Sequence, residues 1–375
     1  MKNYVTLGDV CSKGSSNIAQ KDIENNNGSY GIYGASGFIK NVDFYHRDEP
    51  YIAIVKDGAG IGRAMLLPAK TSVIGTMQYI IPNDLVCVKY LYYAIVHMNL
   101  SKYFSGATIP HIYFRDYQYE KLPLPAMEEQ QKITKKLHNI DKLIELCKAI
   151  CDKFDVLVKS RFVEMFGNFI YDQKRWFICT VGDVAETIDP QPSHRTPPIS
   201  SDGIPYIGIA ECDYKTQSIN FSAARKVGKN VLEEHINRYD LSVGDFIIGK
   251  IGTIGKPFFV PIERNYTLSA NTVLIQPNVQ KVSPQYLFSI FQSEYMDRII
   301  DSEKKSTSQP AFGIQKVRSI KIPLPPLALQ EQFAAFVEQT DKSKFMRGNT
   351  IYEFAIEINK KYTCIAYRYN ALHKK

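Results

Sequence analysis

The tetrapeptides Leu122-Pro123-Leu124-Pro125 and Ile322-Pro323-Leu324-Pro325 stand two hundred positions apart, and each opens the same kind of segment. Gln130 answers Gln330 and Asp141-Lys142 answers Asp341-Lys342 at that same separation. Proline disfavours helix just upstream, while Glu128 and Glu129 suit a helix N-terminus. Downstream, Ile133, Leu137, Ile140, Ile144, Cys147, Cys151, Phe154 and Val158 recur in alternating steps of four and three, an a/d heptad seam. Gly167 supplies a stop. About 40 residues of helix would span roughly 60 Å at 1.5 Å per residue. In the second segment Phe333, Val337, Ile351, Phe354, Ile358 and Ile365 occupy the equivalent frame. Thr340, Lys344, Arg347 and Lys361 interrupt it, and Gly348 suits a helix interior poorly, so its far end is expected to fray or kink. An exposed seam of this length needs a partner. The economical partner is the other copy, packed antiparallel, because each helix begins where a globular block ends. The alternative is that each helix packs on its own block.

The repeat extends into the blocks. Thr6-Leu7-Gly8-Asp9-Val10 matches Thr180-Val181-Gly182-Asp183-Val184. Lys56-x-Gly58 with Ile61-Gly62 matches Lys250-x-Gly252 with Ile254-Gly255. Pro82-Asn83 matches Pro277-Asn278, and Tyr90-Leu91 matches Tyr286-Leu287. The separation grows along the chain, so the second block carries insertions on a common scaffold. Tyr51 to Val55, Asp245 to Ile248, Met77 to Ile81 and Thr272 to Ile275 read as buried strands. Val88 to Phe104 and Tyr286 to Ile300 read as helices, and Asp189 to Pro205 as a polar surface loop. The fold class expected is therefore α/β (α+β) domains in tandem, separated by two long helices. The boundaries are residues 1–121, 122–168, 169–321 and 322–375, with a divergent tail after residue 345.

At 375 residues, more than one domain is expected. The absence of an apolar run of about 18 residues argues against a membrane span, and Met1-Lys2-Asn3-Tyr4 lacks a signal core. Seven cysteines without paired spacing fit a reducing cytoplasm and no metal site. The net charge of +8 is spread thinly: 12 basic against 10 acidic groups in residues 1–121, and 18 against 16 in residues 169–321. Charge alone thus points only weakly to nucleic acid.

A block ending in Pro-Leu-Pro, then a long helix closing on SRFVEMFGN (Ser160 to Asn168), then a second such block, resembles the specificity subunit of a Type I restriction-modification system. The run IPLPPLALQEQFAAFVEQTDKSKF (Ile322 to Phe345) is similar to that family's second spacer helix. GDFIIGKIGTIGK (Gly244 to Lys256) and SQPAFGI (Ser308 to Ile314) are similar to phrases of its target recognition domains. The resemblance covers essentially the whole chain and implies a subunit without a catalytic centre or cofactor. Each recognition domain would read one half of a split site in double-stranded DNA. The spacer helices would pair antiparallel, set the half-site distance and dock two methyltransferase subunits, with restriction subunits joining the assembled complex. A pseudo-twofold pair of domains could meet duplex DNA in equivalent ways, and a rod of roughly 60 Å exceeds the ~34 Å of one helical turn. The tail after Phe345 does not resemble the first copy's ending, which puts docking of the second methyltransferase in question.

Within that expectation, Lys56, Arg63, Lys250 and Lys256 flank the glycine-rich turns, where backbone and lysine could meet phosphate. The alternative is a tight turn with solvated lysines. Arg115, Lys316 and Arg318 precede the two proline motifs and could contact phosphate or cover the junction with the helix. Arg195, Arg225, Lys226 and Lys229 fall in the second block's inserted loops, where base-reading side chains are expected, and Asn271 and Gln309 also have the chemistry for base reading. Intrinsic catalysis finds little support. Asp189-Pro190-Gln191-Pro192 only echoes a methyltransferase turn, Gly58 to Gly62 is no dinucleotide fingerprint, and Lys256-Pro257 excludes a P-loop. A non-catalytic scaffold that binds only proteins is the other reading.

Overall fold

Thr6 and Thr180 begin their blocks with the same local bond pattern. Each donates from its backbone nitrogen and its Oγ1 to the carboxylate three residues on, Asp9 or Asp183, at 2.7 Å in all four cases. That carboxylate reinforces the start of a single helical turn, Leu7–Val10 or Val181–Val184. The computed structural model describes residues 4–106, 110–171, 176–193, 195–214, 217–251, 253–306 and 312–344. The sequence expectations for Gln309, Ile351, Phe354 and Ile358 lie outside the described residues. The rest divides into two compact units at Ala149/Ile150.

Each unit repeats three sheets. The Pro-Leu-Pro strand closes its block by pairing antiparallel with the block's first strand. Lys121–Pro123 pairs with Tyr4–Thr6, and Lys321–Leu324 with Phe177–Thr180. Both ends of a block therefore meet where the long helix leaves. The main sheet has four antiparallel strands. In the first block their spatial order is Cys11–Ser15, Met77–Pro82, Tyr51–Val55, Ala64–Leu67; in the second it is Ala185–Ile188, Thr272–Pro277, Phe246–Gly249, Pro257–Phe259. A three-stranded sheet follows, centred on Tyr30–Gly34 or Ile199–Ile207, with parallel pairing to Ser72–Val73 or Thr267–Leu268.

The central strand Tyr51–Val55 is buried at every residue because both its faces are covered. Ile52 and Ile54 pack with Leu91 and Ile95, while Tyr51, Ala53 and Val55 pack with Met77 and Tyr79. Phe246 and Ile248 divide from Ile247 in the same way.

In the first unit α1 is Val88–Met98, and α2 is Met127–Phe166, which continues into the second. In the second, α3 is Lys229–Arg238, α4 Pro284–Phe291, α5 Glu294–Ser306 and α6 Leu327–Lys344. The two aromatic helices are shorter than expected. Asn99 takes φ +49° and ends α1, and the stretch expected as one helix in the second block breaks between Phe291 and Glu294. Ile199–Ile207 is a strand, so the loop expected to reach Pro205 stops short of it. α2 ends where expected, with Gly167 at φ +85° donating to Val163 O at 2.8 Å.

The matched glutamines latch each long helix to its block. Gln130 Oε1 accepts from Cys87 N at 2.8 Å, and its Nε2 donates to Leu85 O and Pro125 O. Gln330 Oε1 accepts from Ser283 N at 2.9 Å, and its Nε2 donates to Pro325 O at 2.8 Å. Tyr90 and Tyr286 complete the pattern, donating to Pro123 O and Pro323 O at 2.8 Å. Both glutamines are buried. Gln330→Ala strands two buried backbone groups at roughly 1–3 kcal/mol each. A lowered urea midpoint for the second unit is the expected result; an unchanged midpoint would deny the latch its role.

Within the second unit, the end of α2 packs antiparallel on α6. Phe162 and Phe166 meet Phe333 at ring distances of 5.4 and 5.5 Å, and further along Lys344 Nζ bonds Asp155 Oδ1 at 2.7 Å. Arg161 lies 5.7 Å from the Phe336 ring. The same aromatic group takes in Tyr286 of α4, so α6 rests on its own block as well as on α2. Among the described residues, no helix is long and apolar enough to cross a membrane.

Candidate nucleic-acid interface

The glycine-rich turns occupy equivalent places. Lys56 N donates to Thr76 O, and Lys56 O accepts from Ile112 N; Lys250 N donates to Asn271 O, and Lys250 O accepts from Phe312 N. In the first block Gly58, Gly60 and Gly62 hold φ of +82°, +87° and +79°. A Cβ on Gly62 would lie 2.4 Å from Ser101 N, so this position admits no side chain.

The two lysines then diverge. Lys56 remains half-exposed beside Asp57 at 3.4 Å. Lys250 turns inward to Asp189 Oδ2 at 2.7 Å, with the two side chains 8% and 10% exposed. The expectation that Lys250 meets phosphate is therefore corrected. Its ammonium is already paired and out of water, and taking it from that carboxylate would strand a buried charge. Asp189-Pro190-Gln191-Pro192 is likewise structural. Arg238 Nε donates to Asp189 O at 2.9 Å, and His235 Nε2 lies 2.8 Å from Gln191 Oε1. Burial, with Arg264 and Arg238 nearby, pulls the His235 pKa down to about 4, so the ring is neutral at neutral pH. Its Nε2 then carries the proton for Gln191, and Nδ1 accepts from Thr267 Oγ1.

The other basic candidates lie at or near the surface. Arg63 is exposed and donates to Ala35 O. Arg115 is 76% exposed and lies 4.9 Å from the Tyr113 ring, which stacks on His111. His111 Nδ1 is 2.7 Å from Asp57 Oδ1, so this short row of rings adjoins the first glycine turn. Nothing in the sequence singles out Tyr113. Lys256 is exposed, 5.9 Å from the Tyr214 ring. Arg195, Lys316 and the Asn271 side chain are exposed. Arg225 and Lys226 belong to the strand Arg225–Val227, and Lys229 opens α3; they are not loop residues, because the segment pairs with Ile199–Ile207. Arg318 is engaged, its Nε and Nη2 donating to Thr187 Oγ1 and O at 2.7 and 2.8 Å. No group of three metal-ligating side chains occurs among the described residues.

On α2, Leu137, Ile140 and Cys147 are buried, and Ile133, Ile144, Cys151, Phe154 and Val158 are half-buried. On α6, Phe333 and Val337 are buried. The sheltered stripe continues past Val158 to Phe162 and Phe166, which the heptad count missed because successive steps of four leave its four-three alternation. A second apolar ridge flanks the stripe: Leu143, Leu146 and Leu157 are 49%, 56% and 46% exposed.

The family profile described as Type I restriction modification DNA specificity domain matches residues 2–156 and 173–351. The MjaVIII specificity subunit of Methanocaldococcus jannaschii is 23% identical over 313 residues, 78% of this chain and 73% of that protein. The EcoBI specificity subunit of Escherichia coli is 21% identical over 264 residues, 63% of this chain and 54% of that protein. The solved S subunit from M. genitalium shares the fold at a TM-score of 0.59 and 14% identity, covering 96% of this chain and 95% of that one. With both copies of the repeat matched, the chain belongs to the family of Type I restriction-modification specificity subunits.

Proposed function

We propose that this chain is the non-catalytic DNA-reading subunit of a Type I restriction-modification complex, with residues 1–121 and 169–321 each reading one half of a split duplex site. The observation that carries this reading is a scaffold whose fixing bonds recur under different surfaces. The capped turns, glutamine latches and tyrosine-to-proline bonds recur, whereas α3 and the hairpin of Cys212–Asp213 with Ser218–Ile219 are described only in the second block. A constant frame with exchangeable edges is what two different half-sites require. Lys56, Arg63 and Arg115 in one block, and Lys256 and Lys316 in the other, supply phosphate contacts, while Arg195, Lys226, Lys229 and the Asn271 amide stand where bases are read and Arg225 is held by Pro197 O.

The segments 122–168 and 322–375 act as spacers that fix the half-site distance, with their seam holding the helices together. The exposed ridge of Leu143, Leu146 and Leu157 suits a methyltransferase subunit, because apolar side chains at this exposure gain most from a second protein surface. Two such subunits, one per spacer, then recruit restriction subunits, and the work is done in the cytoplasm.

Exchanging residues 169–321 for the corresponding block of a relative tests the reading. Methylome sequencing of a host carrying the chimera should show one half of the methylated motif changed and the other retained. Change in both halves, or in neither, rejects it. A protein-binding scaffold would leave methylation without any motif.

A further inference from the structure

Lys250 and Lys56 hold the same backbone position, yet only Lys250 is withdrawn from the surface. We infer that Lys250, acting through Asp189, is a positioning residue that sets the second domain's base preference without touching DNA. This inference rests on the DNA-reading function proposed above.

The segment from Asp189 to Pro197 forms no strand or helix where it is described. Pro190 and Pro192 lack the N–H groups a strand ladder would use. Its course is set instead by side chains reaching in from three other elements. Lys250, beside the glycine-rich turn, takes the Asp189 carboxylate. From α3, Arg238 holds Asp189 O and His235 holds Gln191. From the strand Arg225–Val227, Arg225 Nη2 donates to Pro197 O at 2.6 Å. Between these ties lies the exposed Arg195.

An apolar pair in place of Lys250 and Asp189 would serve packing equally well. A charge-assisted bond adds direction: it fixes where one carboxylate, and the chain leading from it, must lie. Base discrimination depends on donors placed to within fractions of an ångström, whereas phosphate attraction tolerates displacement. Loss of the anchor should therefore relax reading and leave general attraction intact.

The test uses the full chain assembled with a methyltransferase subunit and a library of randomised duplexes. Wild type should select a two-part motif. Lys250→Met should lower discrimination against single-base changes about tenfold in one half alone. The slope of log affinity against log salt should stay the same, because no phosphate contact is lost. Lys256→Ala, exposed and off this segment, provides the contrast, with a slope reduced by about 1. Gln191→Ala, which keeps the ion pair, should relax the same half to a lesser degree and decides the matter if Lys250→Met does not fold. Lys250→Arg should restore most of the preference.

Full discrimination in Lys250→Met, or in Gln191→Ala should it stand alone, overturns the inference. So does a salt slope lowered by about 1 in Lys250→Met with both half-sites intact, which would make the lysine a phosphate contact. A wild-type complex without sequence preference overturns the DNA-reading function and this inference together, which separates the two failures.

Discussion

Phe166→Ala should lower the stability of the second unit by about 3–5 kcal/mol, the usual cost of truncating a fully buried phenylalanine. Phe166 has no exposed surface and is ringed by Phe162 at 5.0 Å, Tyr286 at 4.7 Å and Phe333 at 5.5 Å. Three edge-to-face contacts of this kind are worth roughly 0.5–1.5 kcal/mol apiece beyond area burial. The loss falls where α2, α4 and α6 meet, and Phe166 O also accepts from the Trp176 indole at 2.7 Å. Urea titration of the full chain, followed by hydrogen exchange, should therefore show early opening of α6 and of the last turns of α2. Amides of Tyr51–Val55, in the other unit, should keep their protection. Val163→Ala, nearby on the same helix but 49% exposed, should shift stability by less than about 0.5 kcal/mol. Equal effects from the two variants would mean that the aromatic group does not hold these helices together.

Much of this architecture was legible because the chain states it twice. A single Gln130 after a proline motif says little, but Gln130 and Gln330 at one separation mark a shared task, and both proved to be latches. Thr6 and Thr180 followed the same logic. The heptad seam was legible from its own period, since a stripe of two residues in every seven must be sheltered. What failed left no periodic signature. The break at Asn99 needs a left-handed residue that no periodicity announces. Arg225 and Lys226 looked like loop residues because their strand is three residues long and gains its pairing from Ile204 to Tyr206. Lys250 looked like a surface lysine because its carboxylate lies 61 positions upstream, and pairing across that distance leaves no local signature.

That ion pair gives the second large effect. Lys250→Met should cost about 3–5 kcal/mol, because the Asp189 carboxylate, 10% exposed, loses its counter-charge. Asp189→Asn should cost a similar amount by stranding the ammonium. Combining Lys250→Met with Asp189→Asn removes both charges, and Asn keeps an oxygen for the Gln191 N–H that Asp189 now accepts at 3.1 Å. The double variant should therefore return to within about 1 kcal/mol of wild type, so the single costs should not add. Four urea titrations complete the cycle. Its value lies in what the double variant then does on DNA. A neutral amide beside a methionine packs without directing, so stability should recover while discrimination at the second half-site stays relaxed. Should both recover together, the pair matters only as core, and the orientation of the Asp189 segment follows from packing rather than from charge.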